Sequence, residues 1–512
     1  MSLEPAFDAF TQTYDAGQPQ VVWTRLIDDL ETPVSAYLKI GQGKPYAFLF
    51  ESVEGGAWRG RYSIVAMKPD FVWRCRGDQA EVAEGDAIAK GDFTPQTGGA
   101  LDSLRDLIAA SRIDLPKGLP PMAAGVFGAL GYDMVRLAER LPDINEDTLG
   151  GLPDGIMTRP SIVAVFDAIA QEIILVTTVR PKAGVSAKDA HDAARARIET
   201  VMADLRRPLA HDAPRAGHAP IEFTTPVSRE DYAVIVEKAK EYIRAGDIFQ
   251  VVPSHRFRAP FDLDPFALYR SLRRTNPSPF LYFLNLDGCH LVGSSPEILV
   301  RLRDGKITIR PIAGTRPRGA TPEEDLALEA ELLADPKERA EHLMLLDLGR
   351  NDVGRVSMLK EQGRNEPAKP HKGPRVKVTE SFKVERYSHV MHIVSNVEGV
   401  APEGVDPVDV LMAALPAGTL SGAPKVRAME IIDELEIEKR GLGYAGAVGY
   451  IGADGSVDTC IVLRTALVKD GMMYVQAGGG VVADSDPDAE YDETLHKSRA
   501  LKRAAEEAWR FA

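Results

Sequence analysis

Strand-like and helix-like stretches do not alternate regularly along this chain, and that ordering does most to limit its fold. PYAFLFES (45–52) reads as a buried strand, SIVAVFDAIAQEIILVTTV (161–179) as two strands around a turn, and LYFLNLDGCHLVGSS (281–295) as a further β-rich stretch. Helical spacing appears at AKDAHDAARARIETVMADLRR (187–207) and at SREDYAVIVEKAKEYIRAGD (228–247), the second with Ser228 placed as N-cap and Glu230 and Asp231 in its first turn. The order points to an α+β fold rather than a doubly wound parallel sheet. PLAHDAPRAGHAP (208–220) has three prolines and no apolar period, so it reads as a linker, and EQGRNEPAKPHKGPRV (361–376) reads as an exposed loop. The chain divides accordingly into residues 1–215 and 216–512.

At roughly 150 residues per domain, 512 residues make two to four folding units or one large composite. The net charge of −14, with no strongly basic stretch to offset it, argues against nucleic acid as the main partner. It also means that an anionic substrate needs a locally positive pocket or a metal. Cys75, Cys289 and Cys460 stand far apart with no C-x-x-C pair, so neither a disulfide framework nor a structural zinc site is expected, and a reducing cytoplasm fits. The first residues lack a signal-peptide pattern, and no apolar run is long enough to span a bilayer, so no membrane partner is expected.

Two acidic pairs stand out. In DPKERAEHLMLLDLGRND (335–352), Asp335 and Pro336 look like an N-cap and first helical residue, Glu338 falls at the capping-box position, and Glu341 follows at i+3 on the same face. DPDAEYDETLHKSRALKRA (486–504) repeats the device with Glu490 and Glu493, and Lys497 lies four residues past Glu493. Each pair has an ordinary reading: Glu338 as a cap, and Glu493 with Lys497 as a solvated i, i+4 pair worth about 0.3–0.5 kcal/mol. If the two helices converge, four carboxylates form a hard-oxygen site suited to Mg²⁺.

YVQAGGGVV (474–482) ends a strand-like run in Gly478, Gly479 and Gly480, which fits either a backbone cradle for an anion or a tight turn. GTLSGAPK (418–425) is not a P-loop: its two glycines are one residue too close and Lys425 does not follow the second. YAGAVGYIGADGSVDTCIVLRTALV (444–468) reads as two strands joined by a glycine-rich turn, with Arg464 inside an apolar strand, where it needs an anionic partner: a structural carboxylate or a substrate carboxylate. PIAGTRPRG (311–319) reads as a loop after the strand-like run 306–310.

Taken together these segments resemble the chorismate-utilising enzymes, most closely the large (component I) subunits of anthranilate synthases. Eleven stretches carry the resemblance in order, among them LFESVEGGAWRGRYSIVA (49–66), NPSPFLYFL (276–284), SSPEILVR (294–301), PIAGTRPRG, VMHIVSNVEG (390–399), PAGTLSGAPKVRAMEIIDELE (416–436), QAGGGVV (476–482) and DETLHKSRA (492–500). The resemblance implies a sandwich of orthogonally packed sheets with helices outside, a regulatory part over 1–215 and a chorismate-binding catalytic part over 216–512. It implies Mg²⁺ on Glu341 and Glu493 with Glu338 and Glu490 near it. Chorismate would be lined by Gly314 and Thr315, gripped by Tyr444 and Arg464, and flanked by Gly478, Gly479, Gly480 and Lys497. Glu297 takes the place of the general acid that helps hydroxide leave, and it would need a pKa raised by burial to stay protonated. His392 matches a histidine implicated in the elimination of pyruvate; alone it reads as a core histidine.

Two departures within the family narrow the chemistry. Relatives that make aminodeoxychorismate typically have lysine where this chain has Ala313, and alanine cannot act as a nucleophile. Water-using relatives place a lysine base where this chain has Gln250, and glutamine cannot activate water. Both point to ammonia as nucleophile and anthranilate as product. None of the three cysteines sits in a glutaminase-like elbow, so ammonia is expected from a separate glutamine amidotransferase subunit; the resemblance implies a heterotetramer. Ser52, Pro279, Phe280 and Leu281 match positions that bind tryptophan as a feedback inhibitor; many relatives have tyrosine and methionine at the last two.

Overall fold

The computed structural model describes residues 2–52, 60–209, 220–359, 375–387 and 390–512. Most of the linker stretch and of the 361–376 loop lies outside the described residues. Two long strands, Tyr62–Arg76 and Gly155–Asp167, pair antiparallel along their whole length and slip register between Pro69 and Phe71. Proline cannot give a ladder N–H, so the pair bends there and its two ends enter different sheets.

At one end, residues 62–67 extend through Phe48–Glu51, Phe280–Asn285, His290–Ser295, Thr465–Lys469, Met472–Gly478 and Ser254–Pro260. At the other, residues 155–158 extend through Gly125–Leu130, Ala447–Gly452, Val457–Ile461, Ile298–Arg303 and Lys306–Ile309 to Val390–Val400. The result is a large curled antiparallel system of two limbs. Pairings such as Leu281 with Glu51 and Gly449 with Gly128 cross the 215/216 boundary.

Side-chain alternation assigns the layers. Phe48, Ile64, Ala66, Phe127, Val163, Tyr282, Leu291, Val448 and Cys460 share one buried cluster. Their neighbours Leu49, Val65, Met67 and Val292 join a second cluster with Ala36, Ile198, Leu268 and Leu501, which stand on helices. Val126, Leu130, Leu299 and Ile461 join a third with Leu104, Leu346, Val353 and Leu411, again on helices. The first cluster lies between the two limbs, and helices cover the outer face of each. This is the α+β sandwich with external helices expected from the sequence.

The predicted helix starts hold. Ser228 and Asp231 form a reciprocal capping box on Arg229–Ala245. Asp335 accepts from the amides of Lys337 and Glu338, and Asp486 from that of Ala489, at the starts of Pro336–Ser357 and Pro487–Glu507. PIAGTRPRG is a correction: Ile312–Pro317 is a strand, paired with residues 390–394 and bulged at Gly314. Two prolines and the bulge mask its alternation in the sequence.

The helix Pro336–Ser357 is fixed from below by a buried ion pair, Asp352 to Lys425 at 2.7 Å, with side chains 6% and 5% exposed. Replacing Asp352 by alanine strands the ammonium in the interior and is expected to cost about 3–5 kcal/mol, read as a lower urea midpoint. The double variant Asp352→Asn/Lys425→Met, which removes both charges, is expected to lose much less.

Candidate active site

The two acidic helices converge. Glu341 is half-buried, and its carboxyl pKa is raised by burial first and then by the charges of Glu338 and Glu493. Glu490 is also raised, by burial and by Glu493, while a hydrogen bond from Ser485 at 2.7 Å opposes the shift. The other Glu490 oxygen, Oε2, is buried with no hydrogen-bond partner among the described residues. Glu338 is held by Arg316 at 3.0 Å and does not bond back to its own helix start, so it serves the PIAGTRPRG strand and not a capping box. Arg316 also binds Glu331 and Asp335, and Arg318 binds Asp325, so the two arginines of that motif tie the strand to the helices Pro322–Ala334 and Pro336–Ser357. The expected Glu493–Lys497 pair closes at 2.6 Å, and the same ammonium donates to the Gly478 carbonyl at 2.9 Å.

Among the described residues no three His, Cys, Asp or Glu side chains form a ready-made metal cage. What the carboxylates offer is a different kind of fit. Two like-charged groups are pushed toward protonation, and one carboxylate oxygen is orphaned, which is the environment a hard cation relieves while keeping part of its water shell.

Arg464 is not inside a strand. It occupies the bend between Val457–Ile461 and Thr465–Lys469 with φ at +49°, a left-handed value that costs a non-glycine residue energy. The apolar run around it hid the bend in the sequence. Its guanidinium pKa is lowered by burial, with the Tyr444 phenol and the charge of Glu493 opposing the shift, and among the described residues it has no carboxylate partner. Tyr444 is buried, which pushes its phenol up to about 12.

Arg464 also acts electrostatically on His392, whose pKa is lowered chiefly by burial. His392 Nδ1 lies 3.0 Å from the Gly314 carbonyl and 3.1 Å from Thr315 Oγ1. A carbonyl only accepts, so Nδ1 carries the hydrogen and Nε2 is left with its lone pair. Gly314, at φ +73°, has little room for a side chain: a Cβ would stand 3.1 Å from Glu338 Oε2.

The glycine triplet is not a tight turn: Gly478 ends the strand Met472–Gly478, and Gly479 and Gly480 continue from it without a turn or a left-handed residue. Its need is space. A Cβ on Gly478 would come 2.5 Å from the Pro253 carbonyl, on Gly479 2.6 Å from Glu490 Oε2, and on Gly480 2.5 Å from Gln250 Nε2. Glu297 lines a small cavity with Leu345, Leu348, Gly349, Asp352 and Thr419. Burial pushes its carboxyl up to about 8, against hydrogen bonds from Thr419 and the Ile312 amide.

The comparisons with known proteins agree in one direction. A family model described as chorismate binding enzyme matches residues 68–503. The chain is 55% identical to anthranilate synthase component 1 of Cereibacter sphaeroides over 99% of this chain and 98% of that one. It is 45% identical to the component 1 of Thermus thermophilus over 94% and 96%. The chain belongs to the chorismate-binding enzymes, in the anthranilate synthase component 1 group. A crystal structure of anthranilate synthase component I from Streptococcus pneumoniae matches with a TM-score of 0.73 at 35% identity, covering 93% of this chain and 98% of that one. The menaquinone-specific isochorismate synthase of Escherichia coli, at 18% identity and a TM-score of 0.68 over 98% and 99%, shares the fold.

The structure thus gathers Glu338, Glu341, Glu490, Glu493, Lys497, Tyr444, Arg464, His392, Gly314, Thr315 and the glycine triplet into one connected neighbourhood. Sequence reasoning missed Thr419, the hydroxyl on Glu297, although it lies in the GTLSGAPK stretch set aside as a false P-loop. It also missed Tyr232, whose hydroxyl meets the Gly479 amide at 3.4 Å; nothing in its helical context marks it.

Ser52, Pro279, Phe280 and Leu281 line one further cavity, of about 800 Å³ counting its part open to solvent, together with Tyr450 and Cys460. The Ser52 hydroxyl oxygen is buried, with no hydrogen-bond partner among the described residues.

A buried guanidinium with no carboxylate partner among the described residues is costly in the free protein and available to a ligand. Arg464→Leu is expected to leave the melting temperature unchanged or raised, while chorismate affinity measured by calorimetry falls by roughly 10–100-fold, the range for a lost charged hydrogen bond.

Proposed function

We propose that the chain converts chorismate and ammonia to anthranilate and pyruvate, with Mg²⁺ as cofactor. The observation that carries this reading is Arg464, a guanidinium without a carboxylate partner among the described residues that acts on Tyr444, Glu493 and His392 together. In this reading Arg464 and Tyr444 hold the enolpyruvyl carboxylate of chorismate. Glu341 and Glu493, with Glu338 and Glu490 beside them, hold Mg²⁺, which supplies positive charge for the ring carboxylate. Gly478 to Gly480, Gly314 and Thr315 set the walls, and Lys497 adds a cation at the glycine strand end.

Two protons have to move. Glu297 is protonated below about pH 8 and gives its proton to the departing C4 hydroxyl while ammonia adds at C2. His392, neutral and with Nε2 unprotonated, takes the C2 proton as the C3–O bond breaks and pyruvate leaves. Ala313, buried on its strand, offers no amine to compete with ammonia, and Gln250 beside Gly480 offers no base for water. Ammonia comes from glutamine through a partner amidotransferase, and the reaction is the first committed step toward tryptophan in the cytoplasm. Tryptophan binds in the cavity of Ser52 and Phe280 as a feedback inhibitor, and that cavity is lined from both the 1–215 regulatory part and the 216–512 catalytic part.

The test is turnover of chorismate by the purified chain with Mg²⁺ and ammonium, with anthranilate followed by fluorescence and pyruvate by mass. Free ammonia rises with pH while protonated Glu297 is lost as pH passes about 8, so a bell-shaped profile is expected, and Glu297→Gln should abolish turnover. An aminodeoxychorismate product without pyruvate, or water-derived isochorismate, would overturn the assignment. Ser52→Phe fills the second cavity and is expected to remove tryptophan inhibition with kcat within about twofold of the parent; joint loss of both would argue for a structural role.

A further inference from the structure

One buried polar side chain with no part in these steps stands at the root of the helix that carries Glu490 and Glu493. His255, on the strand Ser254–Pro260, is 3% exposed. Its Nδ1 lies 3.0 Å from Thr225 Oγ1 and its Nε2 2.8 Å from Thr494 Oγ1. The Thr494 hydroxyl has one hydrogen and gives it to the Tyr491 carbonyl at 2.8 Å. Its oxygen therefore accepts from His255, so Nε2 carries the proton and Nδ1 accepts from Thr225. Burial keeps the ring neutral, with its pKa pushed down to about 4.

The ring is also packed on all sides. It stacks on Tyr491 at 5.5 Å and lies 5.2 Å from Tyr232 and 4.5 Å from Phe257. Tyr491 and Thr494 immediately follow Glu490 and Glu493 in the chain. Tyr232 donates to the Pro253 carbonyl and accepts from the Gly479 amide. One imidazole thus touches the helical turn that bears both carboxylates and, through Tyr232, the glycine strand end opposite them.

We propose that His255 is a positioning residue for Glu490 and Glu493: its bond to Thr494 fixes the rotation of the helix Pro487–Glu507 at the turn that presents both carboxylates. This rests on the reading of those carboxylates as metal-binding. A side chain's end lies about 5–6 Å from its helix axis, so a rotation of roughly 10° displaces a carboxylate by about 1 Å. Displacements of that size matter in preorganised sites, and losing the partner that orients a metal ligand typically weakens metal binding about 10–100-fold.

The experiment uses the full chain and Mn²⁺ as a paramagnetic probe, with Mg²⁺ measured by competition, alongside melting temperature and the Mg²⁺ dependence of kcat. His255→Leu and Thr494→Val are each expected to weaken metal binding by at least about tenfold, with the double variant no weaker than either single one, since both remove the same bond. His255→Gln and Thr494→Ser keep a donor and an acceptor and should bind metal within about threefold of the parent. With saturating Mg²⁺, kcat should recover in all four. Unchanged metal affinity in both His255→Leu and Thr494→Val, additive losses, or a fall in kcat that Mg²⁺ does not restore would overturn the proposal. If His255→Leu fails to fold, Thr494→Val against Thr494→Ser decides alone. Glu493→Gln separates the two readings: parent-like metal binding there would sink the metal assignment itself, whereas loss there with retention in both His255→Leu and Thr494→Val would sink only the role of His255.

Discussion

Burial works against three charged groups at the centre of this protein: Arg464, Glu341 and Glu490. The guanidinium is pushed toward losing its proton and the carboxyls toward gaining one, and among the described residues none of the three closes an ion pair. Left to themselves such groups would collapse onto one another, because an isolated buried charge is costly and a pair is less so. They do not collapse because each is carried by a different rigid element. Glu341 stands on a 22-residue helix, Glu490 on a 21-residue helix, and Arg464 in the bend that carries the chain from a strand of one limb to a strand of the other. The cost is therefore stored in the fold, and under the proposed function chorismate and Mg²⁺ would release it.

Holding that arrangement takes tethers at a distance from the chemistry. Arg316 fixes Glu338 while reaching Glu331 and Asp335, so a strand and two helices share one guanidinium. Lys425 grips the far part of the same long helix through Asp352. The second helix is held at its start by Asp486, beside the site by Lys497 on the Gly478 carbonyl, and from beneath by His255. Each contact is directional, whereas apolar packing against the sheets leaves rotation about a helix axis softer.

Much of this was legible in the sequence where the signal is local. Asp-Pro followed by glutamates at i and i+3 places four carboxylates on helix faces, and the structure keeps those helix starts. Whether the faces meet is a long-range fact that spacing cannot carry. The same limit explains the errors. Glu338 has the spacing of a capping-box residue, but the stronger partner, Arg316, comes from a strand 22 residues earlier. Arg464 looked strand-bound because its neighbours are apolar and β-branched, yet it breaks the ladder with a left-handed backbone. The glycine triplet offered two readings by composition, and only the positions of Pro253, Glu490 and Gln250 reveal that close approach is the reason for it.

The inner layer of the sandwich brings the two cavities closer than their separate linings suggest. Along Val457–Ile461 the side chains alternate, so Cys460 faces the cavity of Ser52 and Phe280 while Ile461 faces the cavity of Glu297. The Ile461 amide donates to the Glu297 carbonyl at 3.0 Å. A second link runs through Ser295, paired in register with Phe280 and sharing its hydroxyl with the backbone of Glu297 at 3.4 Å. A ligand that shifted Phe280 or Cys460 would therefore act on the two backbone segments that aim the buried acid. Single residues, Cys460 with Ile461 and Phe280 with Ser295, thus join the lining of the first cavity to the backbone that carries Glu297, in a close-packed interior with few voids to absorb a displacement.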